Sequence, residues 1–131
     1  MLLTKECDYA IRIVRALADL EKKSVQDIFY VEHVPVQFAY KILKKLELSG
    51  LVCSHRGAQG GYELVKAPAL ITLYDVVAAV EPRLFIHECL KPEHMCSRNT
   101  GENHCKVHTE FDRLQEIVIS ALKEKTIDMV V

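Results

Sequence analysis

The stretch from Leu51 to Val65 constrains this chain more than any other. Leu51-Val52-Cys53-Ser54 reads as a short strand, and Tyr62-Glu63-Leu64-Val65 alternates as a return strand. Between them lies Arg56-Gly57-Ala58-Gln59-Gly60-Gly61, a loop whose glycines permit a tight reversal. The segment predicts a β-hairpin.

What precedes the hairpin is helical. Residues 5–21 carry Tyr9, Ile13, Ala16, Leu17 and Leu20 at three- and four-residue spacing, with Thr4 placed to cap the first turn. Ser24 is set to cap a second, short helix, with Asp27 three residues on and Val25, Ile28 and Phe29 as apolar contacts. After a break at Val34-Pro35, Gln37–Leu48 predicts a third helix. Phe38, Ile42, Leu43 and Leu46 turn inward, Lys41, Lys44 and Lys45 turn outward, and Gly50 ends the helix as a left-handed cap. Three helices and then a hairpin is the order of a winged helix-turn-helix. The fold expected is mainly α with a small β-hairpin wing. A helix of that fold presents side chains to the major groove, and a glycine-rich wing tip lets the backbone approach phosphates.

Beyond Pro68, Leu73–Glu81 predicts another helix through Leu73, Val76, Val77 and Val80. His108–Lys125 predicts a long one, with Phe111, Leu114, Val118, Ala121 and Leu122 in one apolar stripe and Ile117 beside it. A helix that long, beyond a small complete domain, needs a partner for its stripe, and a second copy of the chain supplies one. The organisation expected is a DNA-binding winged helix-turn-helix over 1–81, a cysteine-rich loop over 82–107, and a dimerisation helix with its tail over 108–131.

Charge narrows the partners. The 131 residues hold 17 Lys plus Arg against 18 Asp plus Glu, a net charge of −1. That excludes a protein that coats nucleic acid or anionic lipid by charge alone. Residues 1–66 nonetheless hold 10 basic and 8 acidic groups, and the window Val36–Lys66 holds 5 basic (Lys41, Lys44, Lys45, Arg56, Lys66) against 2 acidic (Glu47, Glu63). A phosphate-contacting surface is expected there. No apolar run approaches the ~20 residues of a membrane-spanning helix. Met1 to Glu6 shows no cationic stretch leading into an apolar one, so no signal peptide is expected and the compartment expected is the cytoplasm.

Three of the five cysteines and four of the six histidines crowd into Ile86–His108: His87, Cys89, His94, Cys96, His104, Cys105 and His108. In a cytoplasmic chain such thiols read as metal ligands or redox groups rather than a disulfide framework. Soft thiolates on one loop suit an iron–sulfur cluster or zinc. The spacing Cys89-x6-Cys96-x8-Cys105 contains no tight Cys-x2-Cys pair of the structural zinc kind, and it matches no ferredoxin pattern. Cys7 and Cys53 lie outside the loop and read as small hydrophobes.

These features together carry a resemblance. Thr4, Asp8-Tyr9-Ala10 and Arg12, then Gly50-Leu51-Val52 with Arg56-Gly57-Ala58-Gln59-Gly60-Gly61-Tyr62, resemble a bacterial family of winged helix-turn-helix regulators. That family includes the iron–sulfur cluster regulator IscR and the nitric-oxide-sensing repressor NsrR. Leu73 to Glu81, the three loop cysteines and the closing Thr126-Ile127-Asp128-Met129-Val130 continue the likeness over nearly the whole chain. The resemblance implies a homodimer in which Cys89, Cys96 and Cys105 hold an iron–sulfur cluster, four-iron ahead of two-iron. It also implies two candidates for the fourth ligand: His108, which follows the third cysteine, or Asp8 supplied by the first helix of the partner subunit. The gap between the second and third cysteines is longer than in the best-known members, and Pro35 stands where a Ser often caps the recognition helix. His33 lies one residue out of register with a His ligand of the two-iron branch and reads as solvated.

For DNA, Gln37, Tyr40, Lys41 and Lys44 face outward near the start of the third helix. Gln can pair with adenine in the major groove, and the lysines suit phosphates. Arg56 suits a minor groove, and Gly57, Gln59 and Gly60 shape a wing tip that brings the backbone to phosphate. The function expected is a cluster-controlled regulator bound to a palindromic double-stranded operator. The alternative keeps the fold without iron, as a thiol or zinc sensor or a cysteine-metabolism regulator. A third class, a small enzyme or electron carrier, finds no phosphate loop, no nucleophile–base constellation and no paired carboxylates to support it.

Overall fold

The computed structural model describes residues 3–131; Met1 and Leu2, with which the expected first domain and the signal-peptide reading begin, lie outside the described residues. Helix α1 (Lys5–Ala16) opens where Thr4 Oγ1 accepts the Cys7 N–H at 3.4 Å, and it buries Cys7, Tyr9, Ala10, Ile13, Val14 and Ala16. It stops well short of residue 21. Leu17 is still buried, but the chain then turns, and Leu20 sits exposed in the left-handed region at φ 63°. The cause is tertiary: Lys23 exchanges two backbone hydrogen bonds with Tyr62, both 2.9 Å, and a continuing helix could not deliver it there.

Helix α2 (Val25–Glu32) starts in a reciprocal capping box between Ser24 and Asp27 and ends at His33, a left-handed cap at φ 55° whose N–H donates to the Phe29 carbonyl. Val25 and Ile28 are buried, whereas Phe29 is largely outside, its ring against Tyr30 and His33. Helix α3 (Val36–Leu48) begins one residue earlier than expected, after Pro35, which provides no side-chain cap. Its end closes as expected at Gly50, φ 77°. Gly50 N–H reaches the Glu47 carbonyl and Leu51 N–H the Leu46 carbonyl, which satisfies two of the last carbonyls. Ala39, Ile42, Leu43 and Leu46 are buried. Phe38 is not inward as expected: it is 39% exposed and leans on the Tyr9 ring, with centroids 5.7 Å apart.

The hairpin follows, shifted by one residue from the expected strands. Strand β1 (Val52–His55) pairs antiparallel with β2 (Gly61–Leu64) in the register Val52 to Leu64, Cys53 to Glu63, Ser54 to Tyr62 and His55 to Gly61. Val52 and Leu64 turn into the core, and the Lys23–Tyr62 bridge adds a third line of pairing. Helix α4 (Leu73–Val80), capped by a Thr72–Asp75 box, lays Val76, Val77 and Val80 against α1 and α3. Beyond it, residues 81–105 contain one short 3-10 turn at Glu88–Leu90, before α5 (Lys106–Glu124). The end of α5 is pinned to the domain. Leu73 N–H donates to the Lys125 carbonyl, Ile127 N–H donates to the Ile71 carbonyl, and the Ile127 side chain is fully buried.

The long helix departs from expectation in its packing. Its only buried residue is Gln115; Phe111, Val118 and Leu122 are half-buried, and Ala121 is exposed. Val107, Leu114 and Ile117 are 59%, 38% and 51% exposed. The single stripe therefore divides into a half-buried side and a largely exposed side.

Candidate nucleic-acid interface and cluster loop

On α3, Gln37, Tyr40, Lys41 and Lys44 are all exposed, on the face opposite Ile42, Leu43 and Leu46. They are not electrostatically equal. Glu6 on α1 bridges two lysines of this helix: one carboxylate oxygen pairs with Lys41 and the other with Lys45 at 2.5 Å. Hydrogen bonds from Lys41 and then Lys45 hold the Glu6 carboxyl below its usual range. Lys45 is consequently not outward as expected; it bends back and also donates to the Val80 carbonyl at 3.3 Å. Lys44 makes no ion pair among the described residues.

In the wing, Arg56, Gly57 and Gln59 are exposed. Gly57 takes φ 99°, a value that favours glycine. The Gly60 N–H donates to the Gly57 carbonyl at 3.0 Å, so that amide is already occupied within the turn. A Cβ at Gly60 would lie 2.3 Å from the His55 carbonyl oxygen, so the loop tolerates only glycine there. Tyr62 is half-buried and packs against the core.

The cysteine-rich loop hangs from α5. Gln115 Oε1, buried, accepts the Ile86 N–H at 3.1 Å, and the His87 ring rests on Phe111 with centroids 5.1 Å apart. Cys89, Cys96 and Cys105 are all half-buried free thiols. Asn99 ties the second to the third: its N–H donates to the Cys96 carbonyl at 3.1 Å, and its side-chain oxygen accepts the Cys105 N–H at 3.1 Å. Cys105 is the N-cap of α5, where the helix dipole favours an anionic ligand. One turn on, His108 Nδ1 is buried without a hydrogen-bond partner among the described residues, which is uncommon for a buried nitrogen. The donor set therefore fits a thiolate-ligated group, with an unused imidazole beside it. Asp8 on α1 is exposed and already engaged, accepting from Arg12 Nε at 3.0 Å, while Arg12 also donates to the Glu32 carbonyl.

A family model described as "Rrf2: Iron-dependent Transcriptional regulator" matches residues 3–131. The chain belongs to the Rrf2 family. It is a DNA-binding transcriptional regulator, not an enzyme, and it has the winged-helix fold with an added C-terminal helix. A protein of Aquifex aeolicus named for an HTH-type transcriptional regulator is 31% identical over 103 residues, 79% of this chain and 71% of that protein. The HTH-type transcriptional regulator NsrR of Geobacillus kaustophilus is 34% identical over 92 residues, 68% of this chain and 63% of that protein. Two solved structures share the Rrf2 architecture. CymR, the global cysteine regulator of B. subtilis, superposes with TM-score 0.76 at 23% identity over 99% of this chain and 95% of that one. T. potens IscR gives 0.75 at 19% identity, over 99% and 85%. No helix among the described residues is long and apolar enough to cross a membrane.

Within this Rrf2 chain, three functional features escaped sequence reasoning. Glu6 neutralises part of the α3 surface, Asn99 clamps two cysteines, and Arg15 holds the buried Glu32 through Nε–Oε1 at 2.7 Å. Glu6 and Arg15 reach residues that only the fold brings near them, whereas Asn99 acts within its own loop. Cys7 is wholly buried in the core, as expected of a small hydrophobe. Burial, then the adjacent Glu63 carboxylate, push the Cys53 thiol above the usual range.

Proposed function

We propose that this Rrf2 protein is a cytoplasmic homodimer whose affinity for a palindromic operator is set by an iron–sulfur cluster, four-iron ahead of two-iron. The signal read is redox state, nitric oxide or cluster supply. The observation that carries this is the loop itself: three free, half-buried thiols on one segment that is anchored to α5 rather than packed in a core. The cluster, when bound, would supply the reactive group that such signals alter. Cys89, Cys96 and Cys105 would hold it, and Asn99 would fix the spacing of the last two.

Two donors compete for the fourth position. The unpartnered Nδ1 of His108 supports His108 from the same chain. Asp8 of a second copy would first have to leave Arg12, and because Arg12 also holds the Glu32 carbonyl at the end of α2, that exchange would reach the turn before α3. Dimerisation through Val107, Leu114 and Ile117 of α5 would cover the face the monomer leaves open. Residues 1–81 would then read DNA, 82–107 hold the cluster and 108–131 join the subunits. On DNA, Gln37, Tyr40 and Lys44 would meet the major groove and Arg56 the minor groove, with Gly57, Gln59 and Gly60 shaping the wing tip and Lys41 available once Glu6 lets go.

The test is anaerobic purification with a visible spectrum, iron and sulfide analysis, and operator titration of loaded and stripped protein at one salt concentration. Broad visible absorption, stoichiometric iron and sulfide, and different operator affinities are expected. Asp8→Ala and His108→Ala then assign the fourth ligand by which of them changes the spectrum. A protein that stays iron-free after reconstitution overturns the cluster and leaves the thiol or zinc sensor on the same fold.

A further inference from the structure

The wing carries a cluster of side chains that the reading above does not use. Strand alternation puts Cys53 and His55 on one face of β1, and the register puts Glu63 of β2 directly across from Cys53. The three side chains converge. Cys53 Sγ is 3.6 Å from His55 Nε2 and 3.8 Å from Glu63 Oε1, and His55 Nε2 is 2.7 Å from Glu63 Oε1. Among the described residues, this is the trio of Cys, His and carboxylate donors whose ligand atoms all lie within 4.8 Å of one another.

We infer that Cys53, His55 and Glu63 form a site for a divalent borderline cation such as zinc, with three protein ligands and one solvent position. The donor chemistry is a thiolate, an imidazole and a carboxylate, the set zinc takes. The spacing suits a single ion. Zinc–sulfur bonds of about 2.3 Å and zinc–nitrogen or zinc–oxygen bonds of about 2.0–2.1 Å, set tetrahedrally, separate sulfur from its neighbours by about 3.6 Å and the lighter pair by about 3.3 Å. The two sulfur distances already match. Only the His55–Glu63 hydrogen bond must open, by roughly 0.6 Å on those bond lengths, as the metal replaces the shared proton. The site faces water, since the side chains of His55 and Glu63 are 41% and 32% exposed, so a fourth ligand can be solvent.

Binding changes the wing in two ways. A metal bound to both strands clips the hairpin immediately beside the Arg56 loop. It also removes negative charge: a neutral thiol and one carboxylate carry −1, whereas thiolate, carboxylate and a divalent ion sum to zero. A DNA-facing hairpin next to Glu47 and Glu63 is thereby made less repulsive to phosphate.

The site does not depend on the loop cysteines, and the test keeps them apart. The probe is cobalt(II), titrated into full-length protein with Cys89, Cys96 and Cys105 all replaced by Ser, so that Cys7, wholly buried, is the one other thiol. Expected are one equivalent of cobalt per chain, a thiolate-to-cobalt absorption with tetrahedral visible bands, and displacement by zinc. Cys53→Ser should abolish the charge-transfer band. His55→Ala and Glu63→Gln, at solvent-facing positions that do not hold the core, should each weaken binding at least about tenfold, the loss known even for outer-shell partners. No thiolate band at saturating cobalt, or a band indifferent to His55→Ala and Glu63→Gln, overturns the site. Either result leaves the cluster reading untouched, because that is scored on iron in the unsubstituted protein.

Discussion

Helices α1, α3 and α4 each bury a run of apolar side chains, and Ile13, Leu17, Ile28, Ile42, Leu43, Leu46 and Val76 meet in one core. Helix α5, at 19 residues the longest in the chain, buries Gln115 and nothing else. The loop it carries is no better covered: its cysteines are half-buried, and Met95 stands almost wholly in solvent. The difference separates a body held by a packed apolar core from an arm held by a few contacts along one side, through Gln115, the His87–Phe111 pair and the residues just past its end. In the first region a side chain's worth is set by packing. In the second it is set by what the side chain will hold.

That contrast breaks most sharply at the cysteines. Cys96→Ser should abolish stable cluster iron, while unfolding of the apo winged helix changes by less than about 0.5 kcal/mol, as for an ordinary loop substitution. Iron content and a urea melt of the stripped protein measure the two halves separately, and a large loss of apo stability would mean the loop is part of the core after all. The reverse experiment is Leu43→Ala. Here the expected loss is about 2–5 kcal/mol of unfolding free energy, read from the urea melt, from lost burial plus the cavity left behind. Ile117→Ala on α5 should leave the monomer nearly unchanged and weaken only self-association, read by sedimentation. Arg15→Ala comes next. Glu32 is 8% exposed, and without its guanidinium partner it becomes a carboxylate left without its charge partner near α2. Because Arg15 is itself 44% exposed, the expected cost is discounted to about 1–2 kcal/mol.

The same division explains what could be read from the chain in advance. Capping at Thr4, Ser24 and Gly50, the hairpin and the core of α3 were legible because each depends on neighbours within a few residues. The end of α1 was not. Leu17 and Leu20 continue the helical spacing with no glycine or proline between them, and the turn is imposed by Tyr62, some forty residues away, pairing with Lys23. Phe38 kept the right period but met Tyr9 at the edge of the core rather than inside it. At the candidate sites the residue types were visible, while their couplings were not. Glu6 reaches Lys41 across 35 positions, and Cys53 meets Glu63 only once the strand register is known. The motif Cys53-x-His55 on a strand did hold a usable signal, since residues two apart in a strand share a face.

The smallest effect tests where the two regions' logic meets, at Glu6, a folding contact drawn from the DNA-facing helix. Its carboxyl is held below the ordinary value of 4.5, first by the hydrogen bond from Lys41 and then by that from Lys45. A depressed carboxylate contributes stability that is complete above its unfolded value and disappears as pH falls through the folded one. Thermal stability should therefore fall on acidification below about pH 4.5, and Glu6→Gln should flatten that part of the curve by lowering stability at neutral pH while leaving the acid limit little changed. The same substitution releases Lys41 and Lys45 toward solvent. Non-specific DNA binding should then tighten, with the slope of log affinity against log salt steeper by about one unit per lysine that reaches a phosphate. If the pH dependence flattens and the salt slope does not move, Glu6 is a stabilising contact of α1 with α3 and no more. A change in both would make it a built-in restraint on the strength with which α3 grips the backbone, leaving specificity to Gln37 and the wing.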